Sequence, residues 1–235
     1  MIIQRLWDLS LSMTAAYGSS KDIEGLCSVK DLWKRVGSTE FQLTPQLLYG
    51  MPVYNRLEQA GVKEEVEIYL RSSFQVHNAA NLHEKLESLL IGSEYVLRFI
   101  EMRKTISAMP YRERVRKLQA MKDDEQEAAL YEIVMQYDLA LPEAGILAFD
   151  IATYVSLCRL GAFMGFIEET DVYKRLEQST SLARQHFSSF EQYALSSAVG
   201  VLFSNGNVNK EEVLNNYYSS LHHPYSYWRH LEWAQ

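Results

Sequence analysis

Apolar residues recur three and four positions apart through most of this chain, which is the spacing of one face of an α-helix. The pattern is clear over residues 176–187 and 190–201. Runs in which apolar and polar residues alternate are scarce, and the best of them, residues 40–44, is short. The pattern therefore predicts an all-α fold. Because no repeat or low-complexity linker divides residues 1–235, we expect one compact multi-helix domain.

The segment 142–163 is apolar on nearly every face. A helix that is hydrophobic all round lies inside its own protein, so this segment predicts a buried central helix, with Pro142 at its first turn. Asp150 lies in this helix, and a buried carboxylate must be hydrogen-bonded, ion-paired or protonated. Thr153, Tyr154 or a backbone N–H could bind it. Arg159 points to the opposite face, so any charge partner comes from elsewhere in the fold.

A second apolar helix is predicted over residues 89–106. It joins a more irregular amino-terminal third of the chain to a regular carboxy-terminal half. We expect residues 1–138 to form a divergent amino-terminal part and residues 139–235 to form a helical core within the same domain.

Composition restricts the class of protein. The two cysteines, Cys27 and Cys158, are far apart and form no CxxC pair, so neither a disulfide framework nor a cysteine-based zinc site is expected. Arg5 and Asp8 interrupt the apolar stretch that a signal peptide would need, and no later segment has the roughly 20 uncharged apolar residues of a membrane span. We therefore expect a cytoplasmic protein without a membrane partner.

The formal net charge is -7, with a pI near 5.4. A negative protein is poorly suited to a nucleic-acid backbone, which needs a positive surface, and is better suited to a cationic protein partner. We define the acidic face as the residues expected to bind such a partner: Glu64, Glu65, Glu67, Glu168, Glu169 and Asp171.

One basic cluster runs against this net charge. Its members are Arg103, Lys104, Arg112, Arg114, Arg116, Lys117 and Lys122. The acidic run at residues 123–127 follows at once and cancels much of the cluster's field beyond a Debye length of about 8–10 Å. The charge pattern favours a solvated helix pair over a nucleic-acid surface.

No arrangement of catalytic or metal-binding residues emerges from the spacing. His77 and His83 are on different sides of a helix, and His222 and His223 point apart, so no histidine metal site is expected. There is no GxSxG turn and no phosphate-binding glycine loop, and Cys158 is expected to pack as a small apolar residue. We expect no cofactor and no catalytic residue.

The carboxy-terminal residues 215–235 are the most aromatic part of the chain. Dense tyrosine and tryptophan rings are typical of a binding surface, and equally of a clasp that holds a chain end against the domain. We favour the clasp, with Trp228 and Trp233 as structural anchors alongside Asp150 and Arg159.

The segments "AFDIATYVSLCRLGAFMGFIEE", "FSSFEQYALSSAVGVLF" and "LHHPYSYWRHLEW" resemble a bacterial domain-of-unknown-function family, family 1266, which includes the YbeR and YbeU proteins. The resemblance covers the chain from Leu139 onward. The matching positions are Ala148, Phe149, Asp150, Arg159, Gly161, Gly165, Glu168, Glu169, Ser189, Phe190, Glu191, Tyr193, Gly200, Pro224, Trp228 and Trp233.

Two positions depart from that family. Its members usually carry an arginine three residues after the aspartate and another after the later glycine, where this chain has Thr153 and Val201. If the aspartate and arginines form an anion-binding or catalytic group in the family, this chain lacks half of it. If they form a buried salt bridge, Asp150 needs another partner. The resemblance implies a fold and no reaction.

Three functions remain open. The first is a non-enzymatic binding protein, most specifically an immunity protein that neutralises a cognate bacterial toxin. The second is an enzyme of unfamiliar type, with Asp150 as a base and a pocket between the central helix and the helix after Ser188. The third is a regulatory nucleic-acid-binding protein that uses the basic cluster. The acidic charge and the lack of a catalytic motif favour the first.

Overall fold

The computed structural model describes residues 2–15, 19–36, 38, 41–51, 55–121, 124–205 and 208–233. The amino-terminal α-helices are α1 (Ile2–Ser10), α2 (Ser19–Ser28), α3 (Leu32–Arg35), α4 (Pro45–Tyr49), α5 (Arg56–Phe74), α6 (Ala79–Ile91) and α7 (Glu94–Ser107). The remaining helices are α8 (Tyr111–Ala120), α9 (Glu125–Tyr137), α10 (Leu147–Met164), α11 (Glu169–His186), α12 (Phe190–Ser204) and α13 (Lys210–His222), followed by a 3-10 turn (Tyr227–Arg229). No β-strand occurs among these residues, so the predicted all-α domain is confirmed.

Helix α10 is the predicted central helix, and its burial is confirmed. It packs against α4, α5, α6, α11 and α12, and its residues from Ala148 to Phe163 are buried apart from Phe149. The helix begins at Leu147 rather than at Pro142 because residues 143–146 form a turn in which Gly145 has a φ of 60°. Ser196 of α12 closes this end: its hydroxyl donates to the carbonyl of Gly145 and accepts from the N–H of Ala148.

Other helix beginnings follow local capping rules. Asn55, Asn78, Ser93, Ser189 and Asn209 each accept a hydrogen bond from a backbone N–H in the first turn of the following helix. Each capping residue lies within four residues of the N–H group that it binds, so such helix starts can be predicted from the sequence.

The predicted helix over residues 89–106 is wrong in one respect, because the structure divides it into α6 and α7. The break falls at Gly92, which has a φ of 110°, and Ser93 caps the new helix. The backbone N–H of Ser93 donates to Asp150 of α10. A contact with a distant segment therefore fixes this break.

The buried apolar residues form two clusters. The larger surrounds α10 and includes residues of α1, α5, α6, α11, α12 and the carboxy-terminal segment. The smaller lies between α7, α9, α12 and α13. Leu147 and Tyr217 pack against both clusters.

In the part of the chain that the structure describes, one helix, α10, is long and apolar enough to cross a membrane by length and composition alone. Most of its residues are buried inside the protein, as in the core helix of a folded domain. The helix carries two charged side chains: Asp150 has a partner in Ser93, which caps α7, and Arg159 has a partner in Asp22 of α2.

Candidate functional site

Asp150 is completely buried between α10 and the beginning of α7. Its Oδ2 atom accepts a hydrogen bond from the backbone N–H of Ser93, with an N to O distance of 2.6 Å. Within the described residues its Oδ1 atom has no hydrogen-bond partner. Of the partners that the sequence left open, the backbone N–H is the one observed. Thr153 instead donates to the carbonyl of Phe149, and Tyr154 donates to the carbonyl of Arg175.

The electrostatic state of Asp150 reflects this incomplete pairing. Burial raises the pKa of its carboxyl group above the ordinary value. Hydrogen bonding to Ser93 and the positive charge of Lys85 act in the opposite direction without cancelling the effect of burial. The amino-terminal end of α7 also carries a partial positive charge, which favours a carboxylate placed there.

Two adjoining cavities lie along the amino-terminal half of α10. The polar chamber has a volume of about 550 Å³ and reaches between α5, α6 and α7. The apolar chamber has a volume of about 430 Å³ and reaches between α5, α12 and α13. Because the two chambers share wall residues, we treat them together as the α10 cleft. The shared residues are Ser73, Phe74, Tyr95, Phe149 and Thr153.

The positions that depart from the family pattern both face this cleft. Thr153 lines both chambers, and Val201 lines the apolar chamber. Asp150 lies in the same helix turn as Thr153 and is hydrogen-bonded to Ser93, another lining residue of the polar chamber. Thr153 and Val201, the positions at which the resemblance led us to expect arginines, therefore line one cleft, and Asp150 lies one helical turn from Thr153.

The cleft partly matches the pocket expected between α10 and the helix after Ser188. The carboxy-terminal part of α12 contributes Val201 and Ser204, while Ser188 itself is not part of the wall. Sequence reasoning missed the walls supplied by α5, α6 and α7. Lys85, Glu94 and Tyr95 are polar or amphipathic residues of amphipathic helices, where they are indistinguishable by local pattern from ordinary surface positions.

Arg159 lies at the other end of α10 and is almost fully buried. Its guanidinium group makes a two-point ion pair with Asp22 of α2, with N to O distances of 2.6 and 2.8 Å. It also donates to the hydroxyl of Ser12 and to the carbonyls of Leu47 and Leu48. These contacts join α10 to the α1 end, α2 and α4.

The carboxy-terminal aromatic residues pack onto α1 and α12. The Trp228 indole N–H donates to Ser10 at 3.0 Å, and its ring stacks on Phe190 with ring centres 5.2 Å apart. The Trp233 indole N–H donates to the carbonyl of Phe187 at 3.0 Å. In return, Trp7 of α1 donates to the carbonyl of Glu232. These contacts hold the chain end against the core.

The acidic face consists of two groups. Glu64, Glu65 and Glu67 are exposed on α5, and Glu168 and Glu169 are exposed at the beginning of α11. Both groups include members with partners within the chain: Glu67 pairs with Arg71 at 2.7 Å, the Tyr49 hydroxyl donates to Glu169, and the half-buried Asp171 pairs with Lys174 at 2.8 Å. Lys174 lowers the pKa of the Asp171 carboxyl group.

Several members of the basic cluster act inside the fold. Arg103 pairs with the buried Asp138 at 2.7 Å and donates to the carbonyls of Pro142 and Asp138. Arg114 donates to the carbonyl of Met109. Lys104, Arg112 and Arg116 are exposed, and Lys122 lies outside the described residues. The cluster therefore offers fewer free cations than its sequence suggests.

The histidines and cysteines do not assemble into a reactive group. Among the residues that the structure describes, no three histidine, cysteine or acidic side chains converge as metal ligands. His83 contacts Glu87, and His230 stacks on Trp33. Burial raises the pKa of the Cys158 thiol to about 12, so this thiol stays protonated at neutral pH.

The fold and the cleft define an all-α protein with a cavity beside a buried carboxylate. A family described as "Protein of unknown function (DUF1266)" matches residues 69–233, more than half of the chain. The chain belongs to this family. The match begins in α5, so the resemblance expected from Leu139 onward is confirmed but was placed too narrowly. No curated protein and no solved structure matches the chain.

Proposed function

We propose that this chain is a non-enzymatic binding protein whose partner is a cationic protein. In its most specific form, the proposal is a bacterial cytoplasmic immunity protein, close to the YbeR and YbeU members, that neutralises a cognate toxin domain. The observation that carries the proposal is the position of the acidic face, whose two groups flank the same end of α10.

Phe163, near the end of α10, connects the two acidic groups. On one side, the Nζ atom of Lys63 lies 5.7 Å from the centre of the Phe163 ring, and Lys63 precedes Glu64 in α5. On the other side, the ring of Tyr49 lies 5.5 Å from Phe163, and the Tyr49 hydroxyl donates to Glu169 of α11. The part of α5 that carries the first acidic group and the beginning of α11 therefore both lie beside the same end of α10.

Electrostatic attraction is the physical basis of the proposed binding. A surface rich in carboxylates steers a cationic partner during encounter and disfavours partners of like charge. The pairs Glu67 with Arg71 and Asp171 with Lys174 join side chains that are about half or more exposed, and such surface pairs are weak. Replacing these two ion pairs by ion pairs with a partner protein therefore costs little free energy.

The two alternatives have less support. A nucleic-acid surface needs free cations, whereas Arg103 and Arg114 donate to groups within the fold. A general base must reach its substrate, whereas Asp150 is 0% exposed. The cleft beside Asp150 keeps a ligand-binding role open.

The first test is a tagged pull-down from cells of the source organism, with mass spectrometry of the proteins that co-purify. We expect one dominant cationic partner in near-equal amount. The variant Glu64→Lys/Glu65→Lys/Glu168→Lys should lose that partner, because each change replaces attraction with repulsion. A neighbouring gene product with a toxin-like domain would support the immunity role, and co-expression should then protect cells from it.

The matched control is Glu101→Lys/Glu113→Lys/Glu132→Lys, which reverses three exposed glutamates on α7, α8 and α9. Both triple variants change the net charge equally. Loss of the partner in both would attribute binding to overall charge rather than to the acidic face. Recovery of the chain alone from the wild-type pull-down would count against a protein partner.

A further inference from the structure

The α10 cleft lies along the amino-terminal half of α10, whereas the acidic face surrounds its carboxy-terminal end. The cleft is therefore a separate feature. We propose that it binds a small organic cation, an ammonium group carried on an aromatic or aliphatic body. The proposal is independent of the protein partner and concerns different residues.

Aromatic rings provide the first support. Tyr69, Phe74, Tyr95 and Phe149 all line the apolar chamber. They form two edge-to-face pairs, Tyr69 with Phe74 at 5.5 Å and Tyr95 with Phe149 at 6.2 Å between ring centres. Ring faces attract organic cations within about 6 Å, and several rings around one cavity are the usual receptor for ammonium groups.

A cation of the protein already contacts one of these rings. The Nζ atom of Lys85 lies 5.9 Å from the centre of the Phe74 ring. Lys85 lines the polar chamber, so its amine marks a place in the cleft where a positive charge is accepted.

The charges around the cleft favour a positive ligand. Glu84 and Glu94 line the polar chamber, and Glu212 lines the apolar chamber. Lys85 is the single lysine or arginine among the described residues that line either chamber. Behind the wall, the buried carboxyl of Asp150 has one oxygen without a hydrogen-bond partner in the described residues. An ammonium group would compensate this excess of negative charge.

The dimensions suit a small molecule. The chambers measure about 550 and 430 Å³, within the range of ligand cavities, about 300–1,000 Å³. Leu157, Val201 and Val213 give the apolar chamber a surface for an apolar body. The rings of Tyr95 and Phe149 lie in the wall common to both chambers, so an ammonium group at the junction would contact them.

Isothermal titration calorimetry with three probes of similar size tests the charge preference. We expect benzyltrimethylammonium to bind with a Kd of about 1 mM or tighter. Benzyl alcohol, which is neutral, and phenylacetate, which is negative, should bind at least about fivefold more weakly, because they gain no cation–π attraction. Equal affinity for benzyl alcohol, or tighter binding of phenylacetate, would overturn the proposal.

Two variants locate the binding. Tyr95→Leu keeps an apolar side chain but removes the ring, and should weaken benzyltrimethylammonium binding about three- to tenfold. Tyr111→Leu is its matched control, because Tyr111 is an exposed tyrosine of α8 outside the cleft. Thr153→Arg places a guanidinium group where the two chambers meet and should abolish binding of the cationic probe. If Thr153→Arg fails to fold, the Tyr95→Leu comparison still decides.

The remaining outcomes are also decisive. No heat and no thermal stabilisation with benzyltrimethylammonium up to about 10 mM would refute the proposal. Unchanged binding by Tyr95→Leu would place the probe elsewhere and refute it as well. Glu168→Lys alone should keep the probe affinity within about twofold, because Glu168 precedes α11 at the other end of α10 and does not line either chamber.

Discussion

Arg159 and Asp150 are both charged, both on α10 and both buried, but their surroundings differ. All three guanidinium nitrogens of Arg159 donate hydrogen bonds, and its charge is matched by Asp22 at 2.6 Å. Asp150 uses one oxygen, which accepts from Ser93. Its other oxygen has no partner in the described residues, and its carboxyl lies behind the wall of a cleft.

The difference indicates different roles for the two groups. A buried charge whose partners are complete holds segments together, and removing one partner leaves an uncompensated charge. A buried polar atom without a partner is uncommon in folded proteins and needs an explanation, such as a catalytic role or a missing ligand. We therefore regard Arg159 as a structural anchor, and Asp150 as an anchor for α7 that also adds charge to the cleft.

The largest expected effect comes from breaking the Arg159 ion pair. Asp22→Asn should lower the free energy of unfolding by about 3–5 kcal/mol, because Arg159 stays buried without a counter-charge. Urea denaturation measures the change. The matched control is Asp31→Asn, which removes an exposed partner of Lys34 and should cost less than about 1 kcal/mol.

A double variant sharpens this result. Asp22→Leu/Arg159→Met replaces both charges by apolar groups of similar size and should recover part of the lost stability, because no buried charge remains. If Asp22→Asn alone were as stable as the wild type, Arg159 would not depend on its ion pair, and the contrast with Asp150 would disappear.

The next effect concerns Gly50, whose backbone approaches the same ion pair. Its φ is 67°, and a Cβ atom there would lie 2.4 Å from an Arg159 nitrogen and 2.7 Å from an Asp22 oxygen. Gly50→Ala should therefore cost about 2–4 kcal/mol in urea denaturation, from backbone strain and displacement of the pair. Gly165→Ala separates these causes, because Gly165 has a φ of 80° but open space around its Cβ position. Equal losses of stability in Gly50→Ala and Gly165→Ala would mean that the ion pair of Arg159 with Asp22 shifts to accommodate the new methyl group at little cost in free energy.

The sequence predicted the parts of this comparison that depend on local pattern. An apolar run with no polar face identifies α10 as buried, because only a core helix can satisfy such a surface. The same run places Asp150 in the core and requires it to have partners. Residues such as Asn209 mark helix starts because a cap and its N–H groups lie within one turn.

The partners themselves could not be predicted. Asp22 lies 137 positions from Arg159, and Ser93 lies 57 positions from Asp150. Neither pairing has a local signal, because it depends on how separate helices pack. The break at Gly92 was missed for a different reason: Gly92 and the Ser93 cap are local signals, but the apolar pattern continues through them and was given more weight. Most of the cleft could not be predicted either, since its walls come from six helices.

A smaller effect, with a distinct pH dependence, is expected for Asp150→Asn. The folded pKa of Asp150 is raised above its ordinary value of 3.8, so the folded protein keeps this proton to higher pH than the unfolded chain. The stability that Asp150 contributes is thus fully present below about 3.8 and is lost as pH rises through the folded pKa. Asparagine does not titrate.

Urea denaturation of the wild type and Asp150→Asn from about pH 4 to 8 measures this difference. The wild-type advantage should shrink as pH rises and then level off, with the two proteins within about 1–2 kcal/mol of each other at neutral pH. A constant difference across the range would show that burial does not penalise the carboxylate. A large loss in the free energy of unfolding of Asp150→Asn at every pH would mean that Asp150, like Arg159, is essential for the stability of the fold.

The smallest expected effect is that of Lys85, whose charge lowers the pKa of Asp150 against the effect of burial. Lys85→Met should change the free energy of unfolding at neutral pH by less than about 0.5 kcal/mol, because the amine is half-exposed and its field is screened. It should nevertheless move the pH at which Asp150 loses its stability contribution upward. The control Lys104→Met removes an exposed lysine of α7 and should not change that pH.

In an Asp150→Asn background, Lys85→Met should lose its effect on the pH profile, since the group it acts on no longer titrates. A pH shift that persists in that background would mean that Lys85 acts through another group, and the negative charge of the cleft would then have to be assigned to its glutamates alone.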